Sequence, residues 1–341
     1  MEGKTGQRPQ EKNITIYDIA REAGVSSATV SRVINGSDRV SDRTRQRIEA
    51  IMQEKHFVVN ASAKSLVKKQ TNSIGVLVPD LHNIHYLDAA EVVGRFFENN
   101  GMTCIVSAAG EDPLHHAEVL RLLAEKQVDG LVLVSSFFKN DQVKKAIEDY
   151  FQEIPVLMIY ARLDLPNVIS AFVDEEQAAR EATELLIARG HDRLVFVKRG
   201  DSSSIRHKCN GFVDACDQSE GTIGRQWNIN AKDFDGIMHS IRAMFKTYPD
   251  TNGIVFNDDY LATAGGRVIA ELGYRVPEEM AYVSFFNCGH AYMANPPITS
   301  VDTRVQDLAE MGCNLMMEAF DIQEPYARVD LPYRIVERAT T

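Results

Sequence analysis

No stretch of this 341-residue chain approaches the ~18 consecutive apolar residues that a membrane-spanning helix needs, so no transmembrane segment is expected. The opening MEGKTGQRPQEKN is polar and lacks the apolar core of a signal peptide, and export is therefore not expected. Cysteine is sparse. The five residues, Cys104, Cys209, Cys216, Cys288 and Cys313, are odd in number and form no C-x-x-C pair. That pattern argues against a disulfide framework or a zinc site and for reduced thiols in a cytoplasm. Catalytic signatures are missing as well. There is no nucleophile elbow, no glycine-rich phosphate loop and no H-E-x-x-H, so neither an enzyme nor a cofactor is expected.

What is present is a polarised chain. The overall formal charge is −11, but residues 1–70 hold 13 Lys/Arg against 8 Asp/Glu, a net +5. The remainder carries 24 basic and 40 acidic residues, a net −16. A basic head on an acidic body is the asymmetry expected when only the head meets a polyanion.

The head carries three helical patterns with start signals. Thr15 precedes a helix whose Ile16, Ile19, Ala20 and Ala23 share one face, with Asp18 placed as a capping-box acid and Gly24 as the stop. Ser26 can cap a second helix, SATVSRVI, that turns Val30, Val33 and Ile34 inward. Asn35-Gly36-Ser37 ends it, and Ser41 can cap a third helix through Ile48, Ile51 and Met52. Two short helices joined by a glycine turn, closed by a third, predict a helix-turn-helix. The second helix then meets the major groove through Ser27, Ala28, Ser31 and Arg32, and Arg32 can donate two bonds to guanine. A three-helix bundle with no DNA role remains the competing reading of the pattern.

The segment TIYDIAREAGVSSATVSRVING closely resembles the DNA-binding signature of the LacI/GalR repressor family, and the match continues through RVSDRTRQRI and NASAKSL. The resemblance implies that Ser27, Ala28 and Arg32 read bases. It implies that Thr15, Ser26, Thr29, Ser31, Asn35 and Thr44 hold phosphates, a positioning task that carries no sequence information. It assigns Leu66, in a hinge at NASAKSLVKKQTNS, to the minor groove, where an apolar wedge unstacks a base step and bends the duplex. A plain linker whose leucine packs on the body is the alternative. An isolated helix this short is marginal in water, so it should form only on DNA and in a dimer.

In the body, apolar strands alternate with helical stretches. SIGVLVPD, TCIVSAA, GLVLVSS and PVLMIY form a first set, and AFVDEE, LVFVKRG, GIVFNDD and AYVSFF a second. Such alternation predicts parallel sheets covered on both faces, and two sets predict two lobes with ligand at the strand C-termini facing a cleft. The expected fold is an all-α helix-turn-helix DNA-binding head plus an α/β, two-lobed, periplasmic-binding-protein-like sensor with parallel sheets. The expected boundaries are a disordered tail over 1–13, the head over 14–59, hinge helix and linker over 60–72 and the sensor over 73–341. Lobe 1 takes about 73–171 plus 301–323 and lobe 2 about 172–300 plus 324–341, giving three crossings that can act as hinges.

Strand ends nominate the effector site: Asp80, Asn83, Tyr86, Tyr160, Arg206, Lys208, Asp258 and Phe286. Asp259 is read as a cap on the helix that follows. Asp80, His82, His85 and Asp88 in DLHNIHYLD cluster like metal ligands, yet they fall where the family has a cleft-lining loop, and no metal is expected. The sequence also departs from the family pattern. Tyr160 stands where many sugar-sensing members have Asp or Asn, Lys208 replaces an arginine and Phe286 an aspartate. Losing acceptors and gaining rings suggests a ligand with a flat or apolar face, a nucleoside or glycoside as well as a sugar. The resulting expectation is a cytoplasmic, homodimeric repressor of a near-palindromic double-stranded DNA operator, controlled by a small molecule. A solute-binding protein, or a regulator without an effector, is the alternative.

Overall fold

The computed structural model describes residues 14–34, 36–57, 70–321 and 328–341. It divides into two compact units, Met1–Thr71 and Asn72–Thr341. Among the described residues no helix is long and apolar enough to cross a membrane.

The first unit contains α1 (Ile16–Ala23), α2 (Ser27–Ile34) and α3 (Asp42–Glu54). The capping box at α1 is formed: the Thr15 backbone N–H donates to Asp18 Oδ2 at 3.0 Å and the Thr15 hydroxyl to the same oxygen at 2.6 Å. Gly24, at φ 64°, ends the helix in the left-handed conformation that only glycine adopts cheaply, and Val25 N–H reaches back to Ala20 O. Ser26 and Ser41 accept from the backbone N–H groups of Thr29 and Thr44, opening α2 and α3. Ile19, Ala20, Ala23, Val30, Val33 and Ile48 bury one shared core. Asn35 and Leu66, and with Leu66 the hinge, lie outside the described residues.

The second unit holds two six-stranded sheets. The first is built from β1 (Ser73–Val78), β2 (Thr103–Ala108), β3 (Gly130–Val134), β4 (Val156–Ile159), β5 (Val168–Phe172) and β11 (Arg328–Asp330), in the order β11-β5-β4-β3-β1-β2. The second contains β6 (Arg193–Arg199), β7 (Ile223–Ile229), β8 (Gly253–Phe256), β9 (Ala281–Phe285), β10 (Thr299–Asp302) and β12 (Arg334–Val336), in the order β12-β10-β9-β8-β6-β7. Every pairing is parallel except that of β12 with β10. The strands are apolar on both faces because helices cover both faces. The helices α4 (Ile84–Asn99), α5 (Pro113–Glu125), α6 (Asp141–Tyr150) and α12 (Val305–Asp321) pack on the first sheet. The second carries α7 (Glu175–Ala188), α8 (Ser203–Asp217), α9 (Phe234–Thr247), α10 (Asp259–Glu271) and the short α11 (Gly289–Met293).

The chain crosses between lobes after β5, after β10 and after β11. Four details differ from the sequence reading. AFVDEE does not open the second lobe: its residues through Phe172 form β5, the fifth strand of the first sheet. The second crossing falls after Asp302, because β10 stays whole beside β9. Residues 328–330, assigned to lobe 2, pair with β5 in lobe 1, where Val329 is buried. The strand β7 was not anticipated, since at the sheet edge only Ile229 of its residues is buried and the apolar signal is weak.

Candidate nucleic-acid interface and interlobe cleft

In the head, the side of α2 opposite Val30 and Val33 presents Ala28 and Arg32 exposed and Ser27 and Ser31 half-buried. Among the described residues Arg32 takes part in no ion pair, leaving its guanidinium free for an external acceptor. The nominated phosphate contacts Thr15, Ser26 and Thr29 sit at helix starts, where backbone N–H groups also point outward. Ser26 and Thr29 share a 2.9 Å hydroxyl contact, as do Ser41 and Thr44.

In the body, the C-terminal ends of both sheets face one cleft. Tyr160 follows β4 at φ 68° and Phe286 follows β9 at φ 95°, backbone conformations that cost roughly 1–3 kcal/mol each for side-chain-bearing residues. Each is held by a strand-like bond, Tyr160 N–H to Ala171 O and Phe286 N–H to Val301 O, both 2.8 Å. The bends turn both rings onto the cleft floor. There the Phe286 ring stacks on His85, with centroids 3.5 Å apart and planes at 14°. The Lys208 ammonium lies over the same ring, 4.1 Å from its centroid. Tyr160 packs 4.8 Å from His85 and joins its hydroxyl to Thr303 Oγ1 at 2.9 Å.

Lys208 is wholly buried and meets the buried carboxylate of Glu175 at 3.2 Å. Glu175 Oε1 also accepts from the Ser204 hydroxyl at 2.6 Å. Among the described residues His85 finds no hydrogen-bond partner for either ring nitrogen, and burial, reinforced by the Lys208 charge, holds its pKa well below the ordinary imidazole value. Burial pushes the Tyr86 and Tyr160 phenols up. The lobes touch across the floor: Ser136 donates to Ser202 Oγ at 2.7 Å, and Ser204 N–H donates to Ser136 Oγ at 3.3 Å. About 40 Å³ of free space remains here.

Seven of the eight nominated effector residues line the cleft: Asp80, Asn83, Tyr86, Tyr160, Lys208, Asp258 and Phe286. Arg206 does not. It projects from α8 into solvent and pairs with Asp201, because the helical turn that buries Lys208 carries residue 206 to the outer face. The cap falls on the other member of the aspartate pair. Asp258 is the cap, accepting from Leu261 N–H at 2.8 Å, although it also lines the cleft. Asp259 is buried among the hydroxyls of Ser284 and Ser300 and the Cys288 N–H. The Phe286 and Tyr160 rings pack on His85 and each other, with Lys208 over Phe286. Asp80 is bound by His82, whose ring Nδ1 lies 2.9 Å away; burial raises its pKa, but the His82 bonds and charge outweigh this and leave it lowered. Among the described residues no group of three acidic, histidine or cysteine side chains is arranged to hold a metal ion.

Sequence reasoning missed Glu111, Arg199, Ser202 and Ser204, all of which line the cleft. Arg199 was detectable as the end of the strand LVFVKR, the position that nominated the other residues.

Comparison with known proteins agrees with this architecture. Residues 15–60 match the family model for bacterial regulatory proteins of the lacI family, and residues 71–325 match that for periplasmic binding proteins and the sugar-binding domain of the LacI family. Catabolite control protein A of Staphylococcus xylosus is 31% identical over 335 residues, covering 96% of this chain and 99% of that protein. The HTH-type transcriptional regulator DegA of Bacillus subtilis (strain 168) is 29% identical over 300 residues, covering 87% of this chain and 88% of that protein. The lac repressor dimer bound to operator and the anti-inducer ONPF shares the fold, with a TM-score of 0.82 at 24% identity, covering 96% of this chain and 99% of that one. The chain belongs to the lacI family of bacterial regulatory proteins and is a DNA-binding transcriptional regulator with a sugar-binding-type domain, not an enzyme.

Proposed function

We propose that this lacI-family regulator is a cytoplasmic, homodimeric repressor whose operator affinity is set by a small molecule held between the lobes of its body. The observation that carries the reading is the convergence of both sheets' strand C-termini on one cleft, in a chain that also bears a helix-turn-helix. Strand C-termini are where open α/β sheets bind ligands. A ligand touching both lobes shifts their equilibrium only by its differential affinity for the two arrangements.

Two-fold symmetry matches a near-palindromic operator with recognition helices about one DNA turn apart. Ser27, Ala28 and Arg32 read bases, with Leu66 in the minor groove; Thr15, Ser26, Thr29, Ser31, Asn35 and Thr44 hold phosphates. The effector is a sugar, nucleoside or glycoside. The test is selection of bound duplexes from a random DNA pool by the full chain, followed by anisotropy titrations with and without such ligands. Recovery of a palindrome whose affinity moves with one ligand supports the proposal. Binding that selects no sequence refutes the repressor; a palindrome indifferent to every ligand refutes the effector control.

A further inference from the structure

The floor of the cleft, where the sequence directed attention, is occupied by the protein itself. His85, Tyr160 and Phe286 pack on one another, and Glu175 neutralises Lys208. The 40 Å³ that remains holds about three waters and no sugar ring. Directly outside it, the mouth of the same cleft opens to about 530 Å³, within the size range of small-molecule sites.

The mouth is built from both lobes. Asp80 and Glu111 come from the first; Arg199, Lys232, Asp233 and Tyr260 come from the second. Its chemistry is mixed. Carboxylates only accept hydrogen bonds, and guanidinium and ammonium groups only donate them. Three carboxylates against two cations leave no positive excess to draw a phosphate, so a polyanion is disfavoured. Arg199 is the sharpest clue. It is half-buried where mouth meets floor and feels the charge of Asp80, yet among the described residues its guanidinium makes no hydrogen bond or ion pair. A hydroxyl can accept from Arg199 while donating to a neighbouring carboxylate, and the Tyr260 ring supplies an apolar wall.

Resting on the effector-controlled reading above, we propose that the effector seat of this regulator is the cleft mouth rather than its floor. It takes a neutral, hydroxyl-rich molecule of about disaccharide size, with Arg199 as the principal anchor. Such a ligand bridges Asp80 and Glu111 to Arg199 and Asp233, and so favours one arrangement of the lobes.

The experiment is calorimetric titration of the full-length protein with neutral disaccharides (maltose, cellobiose, sucrose), glucose, glucose 6-phosphate and adenosine. It is repeated on Arg199→Met, Tyr260→Ala and the floor variant His85→Phe, with circular dichroism to verify folding. The expected result is binding of a neutral disaccharide that Arg199→Met weakens about tenfold or more, the loss of one charge-assisted bond. Tyr260→Ala also weakens it, and His85→Phe moves it less than about threefold. The inference is overturned if no neutral disaccharide binds, if only the phosphate or the nucleoside does, or if affinity follows His85 and ignores Arg199. Operator binding by the unliganded chain, measured in parallel, reports on the regulator reading independently.

Discussion

The Lys208 ammonium and the Glu175 carboxylate meet at 3.2 Å, both buried, joining α8 to the start of α7 beneath the interlobe cleft. Neither charge can be left alone at that depth. Glu175→Gln strands the ammonium against Phe286 and should cost about 3–5 kcal/mol, whereas the double variant Glu175→Gln/Lys208→Met should recover a large part of the loss. Urea unfolding of the two singles and the double measures the coupling. A double variant no better than the additive singles would show that the pair is not coupled.

His85 contributes a pH dependence of known sign. Its folded pKa lies well below the ordinary value because burial disfavours the imidazolium. Protons therefore bind the unfolded state more readily, and stability is lost as pH falls below the unfolded imidazole value, about 6.5. Replacement by phenylalanine keeps a ring against Phe286 and removes two unpaired buried nitrogens. His85→Phe should raise stability by about 1–3 kcal/mol and flatten the unfolding profile between pH 5 and 6.5, as stranded polar groups carry costs of that order. Thermal melts across that window check both.

Asp259 has the opposite sign. Burial raises its pKa to about 6 in spite of the bonds it accepts from Ser284, Ser300 and Cys288. A carboxyl with a raised folded pKa favours the folded state most fully below its unfolded value near 4, and that contribution disappears as pH rises through 6. Between pH 4 and 6 it should remove up to about 3 kcal/mol of stability, an upper figure for a shift of this size. Asp259→Asn abolishes the slope. It also places an amide donor against one of the three donors, so the variant should be less stable than the parent at pH 5. Denaturant titrations at pH 4, 5 and 6 separate slope from offset.

These two groups mark where the sequence was legible and where it was not. Helix starts were visible because caps are local: Thr15 with Asp18, Ser26 and Ser41 are read within one turn of chain. Two lobes with parallel sheets followed from alternation, and strand ends nominated Tyr160, Lys208 and Phe286 because parallel sheets present ligands there. The fate of those side chains was not legible. Whether a ring faces a ligand or stacks on His85 depends on residues some 75 to 200 positions distant in the chain, joined only in the folded body. The placing of the cap on Asp258 rather than Asp259 has the same origin. Either spacing allows a cap, and only the hydroxyls of Ser284 and Ser300 decide which carboxylate turns inward.

On the head, Arg32 and Thr15 should separate cleanly in a binding assay. Arg32→Ala removes a donor that can grip one guanine, so discrimination at that base pair should fall by about 1–3 kcal/mol. Thr15→Val leaves sequence preference intact and weakens binding to all duplexes, at some cost in helix stability because it deletes the capping hydroxyl. Competition anisotropy with single-base operator variants distinguishes the two patterns. Equal loss of specificity in both variants would remove Arg32 from the role of base reader.

Gly200 tests whether closure of the lobes is coupled to DNA binding. It lies at φ 79°, and a Cβ placed there would sit 3.0 Å from Phe137 Cζ and 3.2 Å from Glu111 Oε2 on the opposite lobe. Alanine is therefore doubly disfavoured, by its backbone conformation and by the facing ring, and the second of these costs is relieved when the lobes part. Ser136→Ala acts on the same closure from the other side by deleting the hydroxyl that bonds Ser202 and the Ser204 N–H. Both variants should enlarge the radius of gyration of the body in solution scattering. Because the two sites share no side chain, a common shift in operator affinity must come through lobe opening, the feature they have in common. Two variants that open the body and leave operator affinity unchanged would instead uncouple the cleft from the head.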